Sequence, residues 1–94
     1  SRAGGVINLI WGSSFKRAYK KVTAANPDLK LKIAQALEAF ADNPFHPSLR
    51  THKLGGKLKG LWAFAAAYDC RVVFQLLDDQ DVLLIDIGKH DEVY

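Results

Sequence analysis

The side chains best suited to acid–base or phosphate chemistry lie in the second half of the 94-residue chain. They are His52, Asp69, Arg71, His90 and the last residue, Tyr94. An imidazole exchanges a proton near neutral pH, and a guanidinium binds a phosphate through parallel hydrogen bonds. Each residue also has an ordinary structural interpretation: a loop or turn histidine, a turn aspartate, a sheet-surface arginine, or an aromatic side chain that closes a sheet edge. Taken alone, the residues leave both interpretations open.

The charge distribution favours a polyanionic partner. Residues 1–60 contain eleven Lys and Arg against three Asp and Glu, a net charge of +8. Residues 61–94 contain two against seven, a net charge of −5. A basic half on a small domain indicates nucleic acid as the simplest partner, with solvated helix faces as the alternative.

The cysteine count and the hydropathy argue against a disulfide-bonded, a zinc-binding or a membrane protein. Cys70 is the single cysteine, so no internal disulfide can form, and no Cys/His group has the spacing of a zinc site. We therefore expect a reducing, cytoplasmic environment with no metal and no cofactor. No segment approaches the ~18 apolar residues that span a bilayer, so we expect no membrane association.

Two helices are predicted in the first half of the chain. A short apolar strand over Val6–Trp11 precedes Ser13 and Ser14, either of which can cap a helix that runs to about Ala25. Its apolar stripe comprises Phe15, Ala18, Tyr19 and Val22. Asn26, as N-cap before Pro27, begins a second helix, which ends at Asn43-Pro44. Its stripe comprises Leu29, Ile33, Leu37 and Phe40, and the short connection predicts an antiparallel helical hairpin.

The second half of the chain has the pattern of strands. Residues 45–56 are predicted to form an ordered loop, and strands are predicted at about Leu58–Ala67, Cys70–Leu77 and Val82–Gly88. The order β-α-α-β-β-β indicates an α+β fold, in which a helical hairpin packs on a small, mostly antiparallel sheet. Residues 6–94 are expected to form this single domain. We expect residues 1–5 to be a flexible or foreign start outside it.

Alternation along the middle strand separates its two faces. Cys70, Val72, Phe74 and Leu76 share one face, and the other, more polar face carries Arg71, Val73 and Gln75. Arg71 is therefore predicted to project from the side of the sheet that the helices leave uncovered. In the last strand, the same alternation groups Leu83, Ile85 and Ile87.

Three segments carry a family resemblance. They are NPFHPSLRTHKLGGKLKGLWAF, YDCRVVFQL and LLIDIGKHDEVY, and they span most of the second half of the chain. In this order they resemble the RelE/ParE superfamily of toxins from type II toxin–antitoxin systems, most closely its RelE/StbE or YafQ-like branch. The resemblance extends from about Leu9 to Tyr94.

The resemblance implies a metal-independent endoribonuclease that cleaves messenger RNA in the ribosomal decoding site. In this reaction the 2′-hydroxyl of the RNA attacks the adjacent phosphorus and the 5′-oxygen leaves. The implied partners are the ribosome, messenger RNA and a cognate antitoxin, with operator DNA bound only through the toxin–antitoxin complex.

The resemblance also implies the site residues. The catalytic candidates are His52, Asp69, Arg71, His90 and Tyr94. Candidate RNA contacts are Arg50, Lys53, Lys57, Lys59 and Lys89. His46 has a more structural setting, between Phe45 and Pro47.

One strand departs from the family pattern. Relatives often carry lysines or a histidine where this chain has the segment WAFAAAY, residues 62–68, which leaves fewer acid–base groups. Two alternative hypotheses therefore stay open. One is a non-enzymatic inhibitor like the ParE toxins that poison DNA gyrase, and the other is a degenerate module that only binds an antitoxin.

Overall fold

Two helices pack on one face of a five-stranded sheet. The computed structural model describes residues 7–93, apart from the side chains of Asp91 and Glu92, so the predictions for residues 1–5, Val6 and Tyr94 lie outside the described residues. Its elements are β1 (Asn8–Trp11), α1 (Ser13–Ala25), α2 (Asp28–Asp42), β2 (His52–Lys53), β3 (Trp62–Ala67), β4 (Cys70–Leu76), β5 (Asp81–Gly88) and α3 (His90–Val93). Short 3-10 helices cover Pro47–Leu49 and Gly56–Leu58. No helix in this part of the chain has the length and apolarity needed to cross a membrane.

The sheet is mixed, with strand order β1-β5-β4-β3-β2. β1 runs parallel to β5, and the other neighbouring pairs are antiparallel. This arrangement confirms the predicted α+β class and the meander of the last three long strands. The sequence interpretation missed β2 and α3, which contain only two and four residues.

The core lies between the helices and the sheet. Phe15 from α1 and Phe40 from α2 are fully buried against the sheet. The ring of Phe40 stacks on Phe64 at 4.4 Å between centroids and meets Phe74 edge-on at 4.8 Å. Burying each such side chain stabilises the fold by about 1.5–3 kcal/mol. The apolar stripes predicted for both helices are therefore confirmed as their buried faces.

Gly12, and not Ser13 or Ser14, caps α1, so the predicted serine cap was wrong. Gly12 is the N-cap, with no side-chain cap, and its N–H donates to the carbonyl oxygen of Leu84 at 3.1 Å. A Cβ at this position would lie 2.8 Å from that oxygen, so the close approach to β5 needs a glycine. The Ser14 hydroxyl instead donates to the carbonyl of Ile85 at 2.8 Å.

Two other predicted boundaries also differ. α2 begins at Asp28 with Pro27 as its N-cap and no side-chain cap, so Asn26 does not cap it. β3 begins at Trp62 and not at Leu58. The chain before it forms a 3-10 turn, and Gly60 has a φ of +96°, which strand backbone does not adopt.

A bulge in β5 changes which side chains reach the core. Val73 pairs with Asp86 and Phe74 pairs with Leu84, so one extra residue of β5 lies between them. Leu84 and Ile87 consequently both point into the core, whereas strict alternation grouped Ile87 with Leu83 and Ile85. In β4, which has no extra residue, Cys70, Val72 and Phe74 face the helices as predicted.

Candidate functional site

Strand register places several predicted site residues on the sheet face opposite α1 and α2, hereafter the distal face. Side chains of directly paired residues lie on the same face. His52 pairs with Ala63, which pairs with Val73, and Val73 pairs with Asp86. These four residues form one row across the distal face, with the exposed His52 at its outer end.

A second row places Arg71 on the same face. Arg71 pairs with Ala65 on one side and with Gly88 on the other. This confirms the prediction that Arg71 leaves the helix-covered side of the sheet. Two strand spacings across and two residues along place the Cα atoms of His52 and Arg71 about 12 Å apart.

The imidazole of His52 is oriented by the loop before it. Its Nδ1 lies 2.9 Å from the carbonyl oxygen of Arg50. A carbonyl only accepts, so Nδ1 carries the proton and the lone pair of the neutral ring is on Nε2. Pairing of β2 with β3, and a 2.9 Å bond from Leu54 N–H to the Leu61 carbonyl, hold this segment to the sheet. In this tautomer Nε2 is the nitrogen of His52 that can accept a proton.

Arg71 braces the turn between β3 and β4. Its Nη1 donates to the carbonyl oxygens of Ala67 and Tyr68 at 3.1 Å and of Cys70 at 3.3 Å. A guanidinium has five N–H donors, so bracing through one nitrogen leaves capacity for an anion. The same side chain that holds the turn in place is thus the one predicted to contact a phosphate.

Asp69 lies in this turn beside a buried thiol. Burial raises the pKa of Cys70 to about 11; the charge of Arg71 opposes this shift, and that of Asp69 adds to it. A thiol with this pKa is protonated at neutral pH, so Cys70 is not a nucleophile there. Asp69 is exposed, and it lines a cleft together with Gly88 and Lys89 at the end of β5.

His90 begins α3 two residues after Gly88, the partner of Arg71. His90 and Lys89 are both exposed, so the chain leaves β5 with an imidazole and an ammonium next to the Arg71 row. Tyr94, the remaining catalytic candidate, lies outside the described residues. The structure thus places Asp69 and the end of β5 in one cleft, pairs Arg71 with Gly88 at that end, and places His52 on the same sheet face as Arg71.

The predicted RNA contacts divide between surfaces. Lys53 follows His52 but faces the opposite side, where its Nζ lies 5.5 Å from the centre of the Trp62 ring. Lys57 and Lys59 are exposed around the second 3-10 helix. Arg50 ends the first 3-10 helix with φ +52° and ψ +40°, which makes it the one non-glycine residue with positive φ among residues 7–93.

A cleft of about 540 Å³ joins Arg50 and Arg71, and we call it the β3 cleft. It lies between α2, the first 3-10 helix and the end of β3, and its other polar lining side chains are Lys32, Gln35, Ser48 and Tyr68. Sequence reasoning missed Lys32, because only the folded chain brings α2 next to this strand. It also placed Tyr68 in a turn without showing that the ring is 99% exposed.

A second cleft of about 720 Å³, the β5 cleft, lies on the other side of the same turn. Lysines and carboxylates both line it: Lys21, Lys32, Lys89, Asp69 and Asp86. Among the described side chains, which exclude those of Asp91 and Glu92, no group of three or more His, Cys, Asp or Glu could hold a metal ion.

Comparison with protein-family models assigns this architecture to a family. The model described as "Bacterial toxin of type II toxin-antitoxin system, YafQ" matches residues 8–94. The chain belongs to the YafQ family of type II toxins. The match covers both distal-face rows and the whole of α3, so the candidate site of this YafQ-family toxin lies within the matched segment. A search of curated proteins gave no significant match.

Solved structures of toxins share the fold of this YafQ-family chain. YafQ from E. coli strain BL21(DE3) is 16% identical, with a TM-score of 0.71, over 94% of this chain and 98% of that one. A YoeB/ParE toxin from Agrobacterium tumefaciens is 20% identical, with a TM-score of 0.72, over 89% and 99%. The YoeB–YefM complex from Staphylococcus aureus contains a chain that is 20% identical, with a TM-score of 0.69, over 89% and 97%. At these identities the likeness establishes the fold alone.

Proposed function

We propose that this toxin is a ribosome-dependent endoribonuclease that cleaves messenger RNA without a metal ion. The observation that carries the proposal is the register of the sheet, which puts His52 and Arg71 on one face and the end of β5, with His90, beside Arg71. Family membership supports the same class of activity. The bound RNA would lie across the distal face, between the two histidines.

The reaction is transesterification by the RNA itself. A base removes the proton of the 2′-hydroxyl, the 2′-oxygen forms a bond to phosphorus, and the bond to the 5′-oxygen breaks. An acid returns a proton to the departing 5′-oxygen, which leaves a 2′,3′-cyclic phosphate and a 5′-hydroxyl. His52 and His90 are the candidates for base and acid, and Arg71 stabilises the charge on the phosphorane oxygens. Asp69 and Tyr94 are proposed to orient these groups and the RNA.

The proposed partners follow from membership of the family and from the distribution of charge over the molecule. We propose a cognate antitoxin as the inhibitor, supported by the structurally similar YoeB that is solved together with YefM. Operator DNA is proposed to bind only through the antitoxin. A cytoplasmic location follows from the proposed ribosomal substrate.

The decisive experiment compares wild type, His90→Ala and His46→Ala in a reconstituted translation system. His46 is the control histidine, because its Nδ1 accepts the Ser48 N–H at 3.1 Å and the imidazole thus has a structural role as the cap of the 3-10 helix. Each protein is treated with EDTA before the assay. We expect wild type and His46→Ala to cut translated messages, and the cleavage rate of His90→Ala to be lower by about 100-fold or more. Uncut messages with wild type contradict the proposal.

The same assay separates the alternative activities. The alanines at positions 63 and 65 leave the middle of the distal face without acid–base groups, which favours a non-enzymatic toxin as the second candidate. Growth arrest with intact messages and inhibited gyrase supercoiling would support a ParE-like inhibitor. Unimpaired growth at high expression would indicate a module that only binds an antitoxin.

A further inference from the structure

Tyr68 is the most exposed large side chain with apolar character in the described part of the chain. It lies at the tip of the turn between β3 and β4, and 99% of its surface is accessible. The turn itself is fixed, because Arg71 bridges the carbonyl oxygens of Ala67, Tyr68 and Cys70. A rigid turn that holds an aromatic ring in solvent presents a flat surface on which another planar group can stack.

The β3 cleft begins beside this ring, and it is cationic. Lys32 from α2, Arg50 from the loop and Arg71 from β4 converge on it. No carboxylate is among the described residues that line it, whereas Asp69 and Asp86 line the neighbouring β5 cleft. Three cations from three separate elements therefore concentrate positive potential in one groove, which favours a chain of phosphates as its occupant.

The floor of the cleft allows a backbone to approach closely. It consists largely of alanines, at positions 36, 39, 65, 66 and 67, and it carries no large apolar pocket. β2 pairs with Trp62 and Ala63 only, so within the described residues no strand covers the edge of β3 beyond Ala63. A cationic groove with a floor of small side chains suits a nucleotide backbone better than it suits the large apolar anchors of a bound peptide.

The cleft is continuous with the distal face. Arg50 lines the cleft and, through its carbonyl, holds the His52 ring. Arg71 lines the cleft and belongs to the second row of that face. Arg50 and Arg71 thus connect the β3 cleft to the distal face.

We infer that the β3 cleft and Tyr68 bind single-stranded RNA adjacent to the cleaved bond, with phosphates on Lys32 and Arg50 and one base stacked on Tyr68. The inference rests on the proposed ribonuclease function and adds to it a site that positions the substrate. Tyr68 and Lys32 are proposed to bind the RNA directly and to take no part in proton transfer.

The test measures binding of a short single-stranded RNA in which every 2′-hydroxyl is methylated, so that it cannot be cleaved. We expect Tyr68→Ala to weaken binding on the order of tenfold, since stacking of one base contributes this much, and Tyr68→Phe to bind like wild type. Lys32→Gln should lower the slope of log affinity against log salt by about 0.7, the value for one phosphate contact on a single strand. Lys30→Gln, an exposed lysine on α2 that does not line the cleft, is the matched control.

Arg50→Gly gives a second readout that does not depend on folding. Glycine accepts the positive φ of this position, so this variant removes the charge without straining the backbone. We expect a lower salt slope together with unchanged or increased thermal stability. Equal slopes in wild type and Arg50→Gly would contradict a phosphate contact at this position.

The outcomes separate this inference from the proposed function. If translated messages are cut but Tyr68→Ala and Lys32→Gln bind the methylated RNA like wild type, the RNA site is wrong and the ribonuclease proposal stands. If these two variants lose affinity for an antitoxin and not for RNA, the cleft is a protein-docking surface and the inference is also wrong. RNA binding that depends on Tyr68, without cleavage of translated messages by wild type, would overturn the ribonuclease proposal alone.

Discussion

At the scale of single residues, the hydrogen bond from His52 to the Arg50 carbonyl determines which ring nitrogen can act as a base. The bond orients the ring and assigns the proton to Nδ1, so that the lone pair of the neutral ring is on Nε2. A substitution that keeps the bond but removes Nε2 therefore isolates the proton-transfer role from the structural one.

His52→Asn is such a substitution. The asparagine amide can donate to the Arg50 carbonyl from about the position of Nδ1, but it has no basic nitrogen. We expect a stability close to wild type and a single-turnover cleavage rate lower by about 10²–10⁴-fold, the usual contribution of a general base. A rate within threefold of wild type would show that His52 is not the base.

Cys70 offers a pH-dependent test of the burial beneath the β3–β4 turn. Burial raises the pKa of its thiol from the usual 9.0 to about 11, so the folded state retains a proton that the unfolded state releases first. The stabilisation by the protonated thiol is complete below pH 9.0 and is lost as the pH rises through about 11.

We therefore expect the free energy of unfolding to fall more steeply in this pH range for wild type than for Cys70→Ala. Denaturant unfolding at several pH values measures the difference, in which the titration of tyrosines and lysines common to both proteins cancels. The native thiol should also react with iodoacetamide much more slowly than the thiol of the unfolded protein. Parallel stability curves for the two proteins would contradict the raised pKa.

At the scale of secondary-structure elements, the join between β1 and α1 depends on one glycine. Gly12→Ala places a Cβ 2.8 Å from the Leu84 carbonyl oxygen, a backbone atom that cannot rotate away. We expect a loss of about 1–3 kcal/mol in the free energy of unfolding, as for other overpacked sites. The matched control is Gly55→Ala, because a Cβ there meets nothing within 4 Å and φ is negative; it should stay within about 0.5 kcal/mol of wild type.

The elements predicted correctly from sequence are those in which the spacing of apolar residues indicates the buried face. The apolar stripes of α1 and α2 and the alternation of β4 each specify a buried face, and the placement of Arg71 on the distal face followed from that alternation. The missed strand β2 has two polar residues, so only its pairing with β3 makes it a strand. The β5 bulge adds one residue, which periodicity alone does not reveal.

The candidate site was also predictable only where a local sequence pattern determines which way a side chain points. Arg71 could be placed from the alternation of β4, whereas His52 was predicted only as a loop residue, and its place on the distal face follows from the pairing of β2 with β3. Lys32 could not be placed, since its role arises where α2 passes over the end of β3, and no local pattern marks that crossing. The opposite orientation of Lys53, against the Trp62 ring, follows from β2 pairing, which the sequence did not predict.

At the scale of the whole molecule, charge is separated along the sheet. The turn of Tyr68 and Asp69 lies at one end of β4, and the acidic turn, Asp78 to Asp81, joins the other end to β5. Asp78 shapes this acidic turn, because its carboxylate accepts the N–H groups of Gln80 and Asp81, and these bonds lower its pKa. The seven residues of β4 put about 23 Å between the two ends, nearly three Debye lengths at physiological salt.

This separation predicts that local charge in the β3 cleft, and not net charge, controls RNA affinity. Asp79 is exposed in the distant acidic turn, so Asp79→Lys raises the net charge by two without altering the cleft. Screening over this distance should keep its affinity for the methylated RNA within about twofold of wild type at 0.15 M salt. Lys32→Gln changes the net charge by only one, yet it should weaken binding severalfold because it removes a direct phosphate contact. If Asp79→Lys instead strengthens binding by more than Lys32→Gln weakens it, the RNA responds to the overall field of the protein and the β3 cleft is not its specific path.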